Sequence, residues 1–210
     1  LMNTKEKQQL VFSQNFDDKI KVEKIFTFNA ETYTINLDVK VHNLTDTTVN
    51  QIPRLSWQQY ADPSWEEDSY GHDGPVASIA KSIERQTIKE LDKEKIFGPN
   101  VLWGGYESKY FLASFIPGNP SLTSITMNRN AGNMVSVSIK GQKELIPGGQ
   151  NGSFSYTLYL GPKQYDLLKT QNVGLEDSID FGSWLKWLAM PLLFVVNFIH
   201  NYVANYGIAI

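Results

Sequence analysis

The sequence predicts a mainly β protein in which antiparallel sheets pack face to face, with α-helices confined to the C-terminal part. Apolar and polar residues alternate without a break over residues 33–41, and this period of two is typical of a strand with one buried face and one wet face. Glycine and proline at 98–99, 117–120 and 147–149 predict short turns between strands. Because no helical pattern interrupts residues 8–160, we expect a β-sandwich rather than a sheet with crossover helices.

The predicted strands follow one another closely along the chain. Residues 29–31 can turn the first strand into the second, and the polar stretch 43–46 ends the second. The complete predicted set covers residues 22–28, 33–41, 49–57, 76–88, 106–116, 122–127, 134–139 and 152–160.

The pattern changes at Gly161, where a helical signal replaces the strand signals. Pro162 suits the first position of a helix, where its missing N–H is not needed. Tyr165 and Leu168 stand three positions apart, as on one helix face, and Gly174 could end the helix. We therefore expect a short helix directly after the sandwich.

The composition limits the chemistry that the protein can perform. Its 210 residues carry a net charge of −3, which gives no basic footprint for nucleic acid. The chain has no cysteine, so disulfides and thiolate chemistry are excluded. The three histidines do not stand at metal-ligand spacing. We expect no catalytic residue, no bound metal and no cofactor.

The closing 27 residues, 184–210, carry a single formal charge, on Lys186. Their uninterrupted apolar run, 187–196, is ten residues long, whereas a helix that crosses a bilayer needs about 20. On a helical wheel the polar residues Lys186, Asn197, His200 and Asn201 fall within about 100° of one another. This pattern predicts an amphipathic helix over 184–202 that lies in the membrane interface.

The apolar face of this predicted helix would contact lipid. Pro191 removes one internal hydrogen bond and should kink the helix. Residues 203–210 are interpreted as the truncated start of a transmembrane helix. The alternative is that 184–199 forms an ordinary buried core helix of a soluble protein. The predicted membrane-interface residues are Trp184, Trp187, Leu188, Pro191, Leu192, Phe194, Val195, Phe198 and Ile199.

Several motifs carry a resemblance to a known family. In the closing part they are Gly161-Pro162-Lys163, Ile179-Asp180-Phe181-Gly182, Trp187-Leu188-Ala189 with Pro191, and Asn205-Tyr206-Gly207-Ile208. Upstream they are Gly104-Gly105 followed by the strand 109–117, and the hairpin 22–43. Taken together, these motifs resemble the YidC/Oxa/Alb family of membrane protein insertases, and the resemblance covers most of the chain.

The resemblance implies a domain organisation. It implies a periplasmic β-supersandwich, similar to mutarotase-like and carbohydrate-binding sandwiches, over 1–160. Residues 161–183 would be a linking helix and loop packed on the sandwich. The interfacial helix, 184–202, and the start of the transmembrane helix, 203–210, would follow. The whole protein would be a multi-pass protein of the bacterial inner membrane, with this domain in the periplasm.

The resemblance also implies a function. The family inserts and folds membrane proteins, alone or with the Sec translocon, so the implied partners are Sec components, nascent membrane proteins and, through 184–210, the lipid bilayer. The family's insertion groove lies in membrane helices that would start where this chain stops, so none of its residues can be carried over. This chain would be a scaffold and interaction module and not an enzyme.

A carbohydrate-binding or mutarotase-like sandwich is the alternative function. The stretch 57–73 packs aromatic and acidic residues together, which could form a sugar platform or a Ca²⁺ loop, although an exposed loop is the simpler interpretation. His72 with Glu66 or Asp73 could be drawn as an acid–base pair, but an exposed loop histidine is again simpler. The amphipathic closing segment argues for the insertase reading.

Overall fold

A computed structural model of the chain describes residues 8–62 and 71–180, together with the six positions 191, 192, 195, 196, 198 and 199. The chain divides into two units, Leu1–Ser178 and Ile179–Ile210.

The first unit is built almost entirely from strands. Its described residues form β1 (Gln8–Phe16), β2 (Ile20–Asn29), β3 (Thr34–Asn43), β4 (Val49–Gln51), β5 (Arg54–Tyr60), β6 (Gly74–Ile79), β7 (Ser82–Arg85), β8 (Lys95–Phe97), β9 (Val101–Glu107), β10 (Phe111–Pro117), β11 (Ser124–Arg129), β12 (Met134–Lys140), β13 (Glu144–Ile146) and β14 (Asn151–Pro162). The helix α1 (Tyr165–Lys169) and three short 3₁₀ helices, Ile88–Asp92, Pro120–Leu122 and Leu175–Ser178, complete it.

The strands form two main sheets. The large sheet has the order β1-β2-β3-β14-β10-β9-β6-β7, and the small sheet has the order β5-β12-β11-β8. A third pair, β13 with β4, stands apart. All the strand pairs in the described part of the chain are antiparallel. The predicted antiparallel β-sandwich is confirmed.

The core lies between the two sheets. In the large sheet the alternation predicted for 33–41 places Leu37 and Val41 among the buried residues. The small sheet contributes alternate residues of β11 and β12, which are fully buried and belong to the same apolar cluster as Leu37. Since both sheets supply one apolar face each, a single core holds the sandwich together. The buried residues from β11 and β12 are Ile125, Met127, Val135, Val137 and Ile139.

The glycine pair Gly104-Gly105 in β9 is required by close approach on both sides of the strand. A Cβ on Gly104 would lie 2.1 Å from Cδ1 of Ile125 in the small sheet. A Cβ on Gly105 would lie 1.9 Å from the carbonyl oxygen of Ala113 in the neighbouring strand. Both distances are far inside van der Waals contact, so a side chain at either position would push the packing apart.

Three predicted strands are each two strands in the structure. The run 49–57 is interrupted at 52–53, where Pro53 cannot donate a ladder hydrogen bond. The run 76–88 reverses at Ala80 and Lys81, which both have positive φ. The run 106–116 reverses at 108–110, between β9 and β10, where the backbone N–H of Ser108 donates to the carbonyl of Phe111 at 2.9 Å. The two reversals, at 80–81 and 108–110, contain neither glycine nor proline, so the sequence pattern did not predict them.

The helix predicted to start at Pro162 starts later. Pro162 is the last residue of β14, where it pairs with Phe111 of β10. The helix α1 begins at Tyr165 and ends at Lys169, well before Gly174. Gly174 has φ +77° and precedes the 3₁₀ helix Leu175–Ser178. Pairing with β10 extends the strand past the point where proline alone indicated a helix start.

In the second unit the six described positions between 191 and 199 are helical. The predicted interface residues Trp184, Trp187, Leu188 and Phe194 lie outside the described residues, as does all of 203–210. Among the described residues, no helix combines the length and the hydropathy that a membrane span requires.

Candidate functional site

Part of the outer face of the large sheet, which points away from the small sheet, contacts residues 163–178 at β7 and β9; these residues are called here the linking segment. Tyr106 of β9 belongs to the core between the sheets, so its alternating neighbours Trp103 and Glu107 point to the outer face. Both are fully buried. Leu168 and Leu175 of the linking segment are also fully buried, which shows that the segment is packed and not merely adjacent.

Glu107 is the centre of a buried ion cluster. Its carboxylate has no exposure, and it accepts from Nε of Arg85 at 2.7 Å and from Nζ of Lys163 at 2.9 Å. A carboxylate buried without partners would be strongly destabilising, whereas here both oxygens are paired with cations. The cluster joins β7, β9 and the first residue of the linking segment.

Further hydrogen bonds tie the sheet to the same segment. The guanidinium of Arg85 donates to the carbonyl of Ser178 at 2.9 Å. The indole N–H of Trp103 donates to the carbonyl of Gly174 at 3.2 Å. A further bond lies within β14, just before the linking segment begins: the hydroxyl of Tyr159 donates to the carbonyl of Pro162 at 2.6 Å. These contacts and the ion cluster form the outer-face network, made by Arg85, Trp103, Glu107, Tyr159 and Lys163.

A second site is a cleft between the two sheets, called here the end cleft. Its volume is about 440 Å³, which lies within the range of small-ligand sites. The small sheet contributes Trp57 and Gln59, and the large sheet contributes the ends of β9, β10 and β14. The lining residues are Tyr33, Trp57, Gln59, Asp73, Tyr106, Ser108, Phe111, Leu112, Ala113, Leu160, Gly161 and Pro162.

Three polar atoms in the wall of the end cleft are buried and make no hydrogen bond of normal geometry: Nε1 of Trp57, Oδ1 of Asp73 and Oη of Tyr106, the last of which lies beside the Asp73 carboxylate and interacts with it. Burial raises the pKa of the Tyr106 phenol well above its usual range, and the hydrogen-bonding interaction with the Asp73 carboxylate and the negative charge of that group raise it further. Tyr106 is therefore a neutral hydroxyl at physiological pH. Orphaned polar atoms of this kind are rare in folded proteins and call for an explanation.

Part of the acidic and aromatic stretch 57–73 lines this cleft. Trp57, Gln59 and Asp73 line it, whereas Glu66 lies outside the described residues. His72 does not line the cleft, and its Nε2 lies 3.1 Å from the carbonyl oxygen of Pro75. Within the ranges that the structure describes, no cluster of three or more potential metal ligands is found. The sequence indicated three of the cleft residues, Trp57, Gln59 and Asp73, but not Tyr106, which is distant in sequence and reaches the cleft through the sheet.

In the predicted membrane-interface helix, the described residues are apolar, and most of them are exposed. Leu192, Val195 and Phe198 are 53%, 53% and 63% exposed, and Pro191 is also exposed. Ile199 is half-buried. The role of these residues at a membrane stays a prediction.

Comparison with known sequences matches the chain to one family. The family described as "YidC periplasmic domain" matches residues 1–195. A membrane protein insertase YidC of Syntrophus aciditrophicus is 55% identical over 210 residues, which are all of this chain and 39% of that protein. The corresponding protein of Pelobacter propionicus is 31% identical, over 98% of this chain and 38% of its own length. The chain thus spans well under half the length of these relatives.

Comparison with solved structures shows the same kind of sandwich. An α-galactosidase from Lactobacillus brevis matches with a TM-score of 0.57 at 8% identity, over 84% of this chain and 26% of that one. A galactose mutarotase-like protein from Lactobacillus casei matches with a TM-score of 0.50 at 9% identity, over 73% of this chain and 69% of that one. At such identities the similarity extends to the fold, and it confirms the predicted mutarotase-like sandwich.

Proposed function

Because the chain belongs to the YidC periplasmic domain family, as the sequence motifs predicted, we propose that it is the periplasmic domain of a bacterial inner-membrane protein insertase. In this proposal the domain catalyses no reaction. It is a scaffold that holds the polypeptide leading to the membrane surface, while the longer protein inserts and folds membrane proteins, alone or with the Sec translocon.

The observation that carries the scaffold role is the outer-face network. The linking segment ends at Ser178, and the second unit, which contains the predicted interfacial helix, begins at Ile179. Arg85, Trp103 and Glu107 bind three points of the segment, at Ser178, Gly174 and Lys163. Since one of these bonds is at the last residue of the unit, the sandwich fixes the point from which the chain continues to the second unit.

The proposed membrane contact rests on the apolar residues after that point. Leu192, Val195 and Phe198 are large, uncharged and more than half exposed, and they recur at helical spacing. Trp184 and Trp187 would lie at headgroup level in this arrangement. Together with Leu188, Pro191, Phe194 and Ile199 they would form the face that enters the membrane interface.

Membrane binding can be tested with the 210-residue chain and vesicles of phosphatidylethanolamine and phosphatidylglycerol. We expect the unchanged chain to float with the vesicles in a density gradient. The triple variant Leu192→Asp, Val195→Asp and Ile199→Asp should lose this binding, because three charges cannot enter the apolar layer. The far-UV spectrum should keep the strand signal of the sandwich.

A matched control separates loss of the apolar face from added negative charge. Ile96, Leu122 and Leu145 are exposed apolar residues of the sandwich, at 66%, 47% and 61%. A variant with aspartate at these three positions carries the same added charge and should still float. If the unchanged chain stayed in the dense fraction, or if both triple variants behaved alike, the membrane-interface proposal would be wrong.

A further inference from the structure

The first strand of the large sheet, β1, has a free edge. It stands at one end of the strand order and pairs on one side with β2. Among the strands that the structure describes, none pairs with its other side. All nine of its residues are exposed. Its free edge therefore carries backbone N–H and C=O groups that can still pair with a further strand.

One face of β1 continues the core face of the large sheet. The register pairs Leu10 with Phe26 of β2, and Phe26 with the core residue Leu37 of β3. Phe12 and Phe16 share this face because side chains alternate along a strand, and the rings of Phe12 and Phe26 lie 5.8 Å apart. The small sheet has four strands against eight, and Leu10, Phe12 and Phe16 are 47%, 55% and 53% exposed. An uncovered apolar row thus lies beside the free edge.

β1 lacks the features that usually keep an edge strand unpaired. Its sequence, QQLVFSQNF, contains no charged residue and no proline, and its pairing with β2 runs without a bulge from Gln8 to Phe16. The opposite edge of the same sheet, β7, has four residues and carries Glu84 and Arg85. Short length and charge are two of the features that prevent edge-to-edge pairing. The contrast indicates that β1 is an edge suited to pairing, whereas β7 is not.

The uncharged sequence also indicates what pairs with β1. A strand recognised by its charge would need opposite charges on β1, which has none. A second copy of β1 meets no like charge, and about a two-fold axis at Phe12 the two antiparallel strands overlap over their full length. This register sets Phe12 opposite Phe12 of the second copy, and Gln9 opposite Asn15 twice. The side-chain amide of Gln9 donates to Thr27 at 3.1 Å, and its carbonyl oxygen can accept from Asn15.

We propose that two copies of this chain pair through β1, antiparallel and in the register centred on Phe12, so that their large sheets form one continuous sheet. A two-fold pairing uses both free β1 edges, which closes the assembly at two copies. The contact has nine residues a side, whereas stable interfaces have about 20–30. The dimer is therefore weak, with a dissociation constant on the order of 1–100 µM. The inference rests on β1 alone and does not depend on the scaffold role.

Sedimentation velocity of the 210-residue chain, at concentrations from roughly 1 to 300 µM, measures the pairing. We expect conversion from monomer to dimer across this range and no larger species. Ser13→Lys should weaken dimerisation about tenfold or more, because two like charges then lie close to the two-fold axis. Ser82→Lys is the matched control, since Ser82 is an exposed serine of β7 at the opposite edge of the same sheet, and its dissociation constant should equal that of the unchanged chain. The amide spectrum of each variant reports that the sandwich is folded.

Association through the second unit is tested separately with the triple variant Leu192→Asp, Val195→Asp and Ile199→Asp. These positions belong to the unit Ile179–Ile210 and not to the sandwich. If the copies pair through β1, this variant should dimerise with the same dissociation constant as the unchanged chain.

Cysteine pairs test the register directly, because the chain has no cysteine of its own. In the proposed register Val11 lies opposite Ser13 of the second copy, at a Cα separation of about 4.5–5.5 Å, which a disulfide can bridge. On mild oxidation, Val11→Cys mixed with ¹⁵N-labelled Ser13→Cys should form a mixed disulfide that mass spectrometry identifies by its mass. Val11→Cys mixed with ¹⁵N-labelled Gln9→Cys should not, because these two positions would be too far apart along the paired strands.

Dimers that Ser13→Lys weakens and Ser82→Lys does not, together with the mixed disulfide between positions 11 and 13, support the proposal. A chain that stays monomeric at the highest concentration overturns it and leaves the edge to a strand of another protein. Dimers that both lysine variants weaken equally, that neither weakens, or that the triple aspartate variant abolishes form elsewhere and overturn it. Dimers that form the control disulfide instead of the expected one overturn the register. Vesicle binding uses residues 192–199, so either result can fail without the other.

Discussion

The outer-face network and the end cleft lie on opposite faces of the same strand, β9. They contain the same kinds of side chain but differ in whether those side chains are hydrogen-bonded. Each contains a tryptophan, an acidic residue and a tyrosine. In the network all three side chains have hydrogen-bond partners, and in the cleft each leaves a buried polar atom without a hydrogen bond of normal geometry. The paired set is Trp103, Glu107 and Tyr159, and the unpaired set is Trp57, Asp73 and Tyr106.

This difference separates a site whose paired polar groups hold the protein together from one whose buried polar groups lack hydrogen bonds of normal geometry. A buried polar group with a partner contributes to stability, and removing it leaves the partner unsatisfied. A buried polar group without a partner already lowers stability, so removing it costs little or is favourable. Matched substitutions in the two sets should therefore shift the free energy of unfolding by different amounts.

The largest effect is expected at the acidic residues. Glu107→Ala leaves the charges of Arg85 and Lys163 without their shared partner, and breaking a buried ion pair in this way typically costs about 3–5 kcal/mol. Asp73→Ala removes an acceptor that has an unpaired oxygen and should cost clearly less. The measurement is urea unfolding of the two variants and the unchanged chain at pH 7.

A double variant that lacks the side chains of both Glu107 and Lys163 sharpens this comparison. If the network is one unit, removing Lys163 after Glu107 should cost less than removing Lys163 alone, because its partner is already gone. If Glu107→Ala and Asp73→Ala lowered the free energy of unfolding by the same amount, the two sites would not differ in the way the contacts indicate. Additive losses on removing Glu107 and Lys163 would likewise show that the network is not one unit.

Alkaline pH should separate Tyr106 and Tyr159, two of the buried tyrosines, from the exposed tyrosines in the titration. Burial raises the pKa of Tyr159 to about 12 and that of Tyr106 higher, whereas an unfolded tyrosine has a pKa of about 10. The folded state holds these protons longer, so the stability that they contribute is complete below pH 10. It is lost as the pH rises from 10 towards 12, at up to about 1.4 kcal/mol per pH unit and tyrosine.

Unfolding free energies measured at pH 9, 10, 10.5 and 11 test this. The unchanged chain should lose stability more steeply above pH 10 than Tyr106→Phe, which lacks one of the late-titrating groups. Parallel curves for the two proteins would mean that Tyr106 does not keep its proton in the folded state.

Much of the fold could be predicted from local pattern, but the two sites could not. The alternation over 33–41 gave the strand and its buried face, because one face of an antiparallel sheet imposes that period directly. The reversal at 108–110 was missed because no glycine or proline marks it. Arg85, Glu107 and Lys163 are far apart in sequence and meet only through the register of β7, β9 and β14 with their neighbours.

The end cleft shows the same division between local and distant information. Trp57 and Asp73 were singled out because they stand in one unusual stretch, whereas Tyr106 belongs to a strand whose sequence looks ordinary. Whether a polar atom has a partner is a property of the folded neighbourhood and not of the residue type. The distinction between the paired and unpaired sets therefore could not be predicted from the sequence.

The most direct test of that distinction removes one oxygen atom from each set. Tyr159→Phe leaves the carbonyl of Pro162 without its 2.6 Å hydrogen bond and should lower the free energy of unfolding by about 1 kcal/mol. Tyr106→Phe removes a buried hydroxyl that makes no hydrogen bond of normal geometry and should lower the free energy of unfolding by clearly less. Chemical unfolding of the two variants at pH 7 decides the matter. A loss of stability in Tyr106→Phe as large as that in Tyr159→Phe would contradict the account, because it would mean that the cleft hydroxyl is held as firmly as the one in the outer-face network.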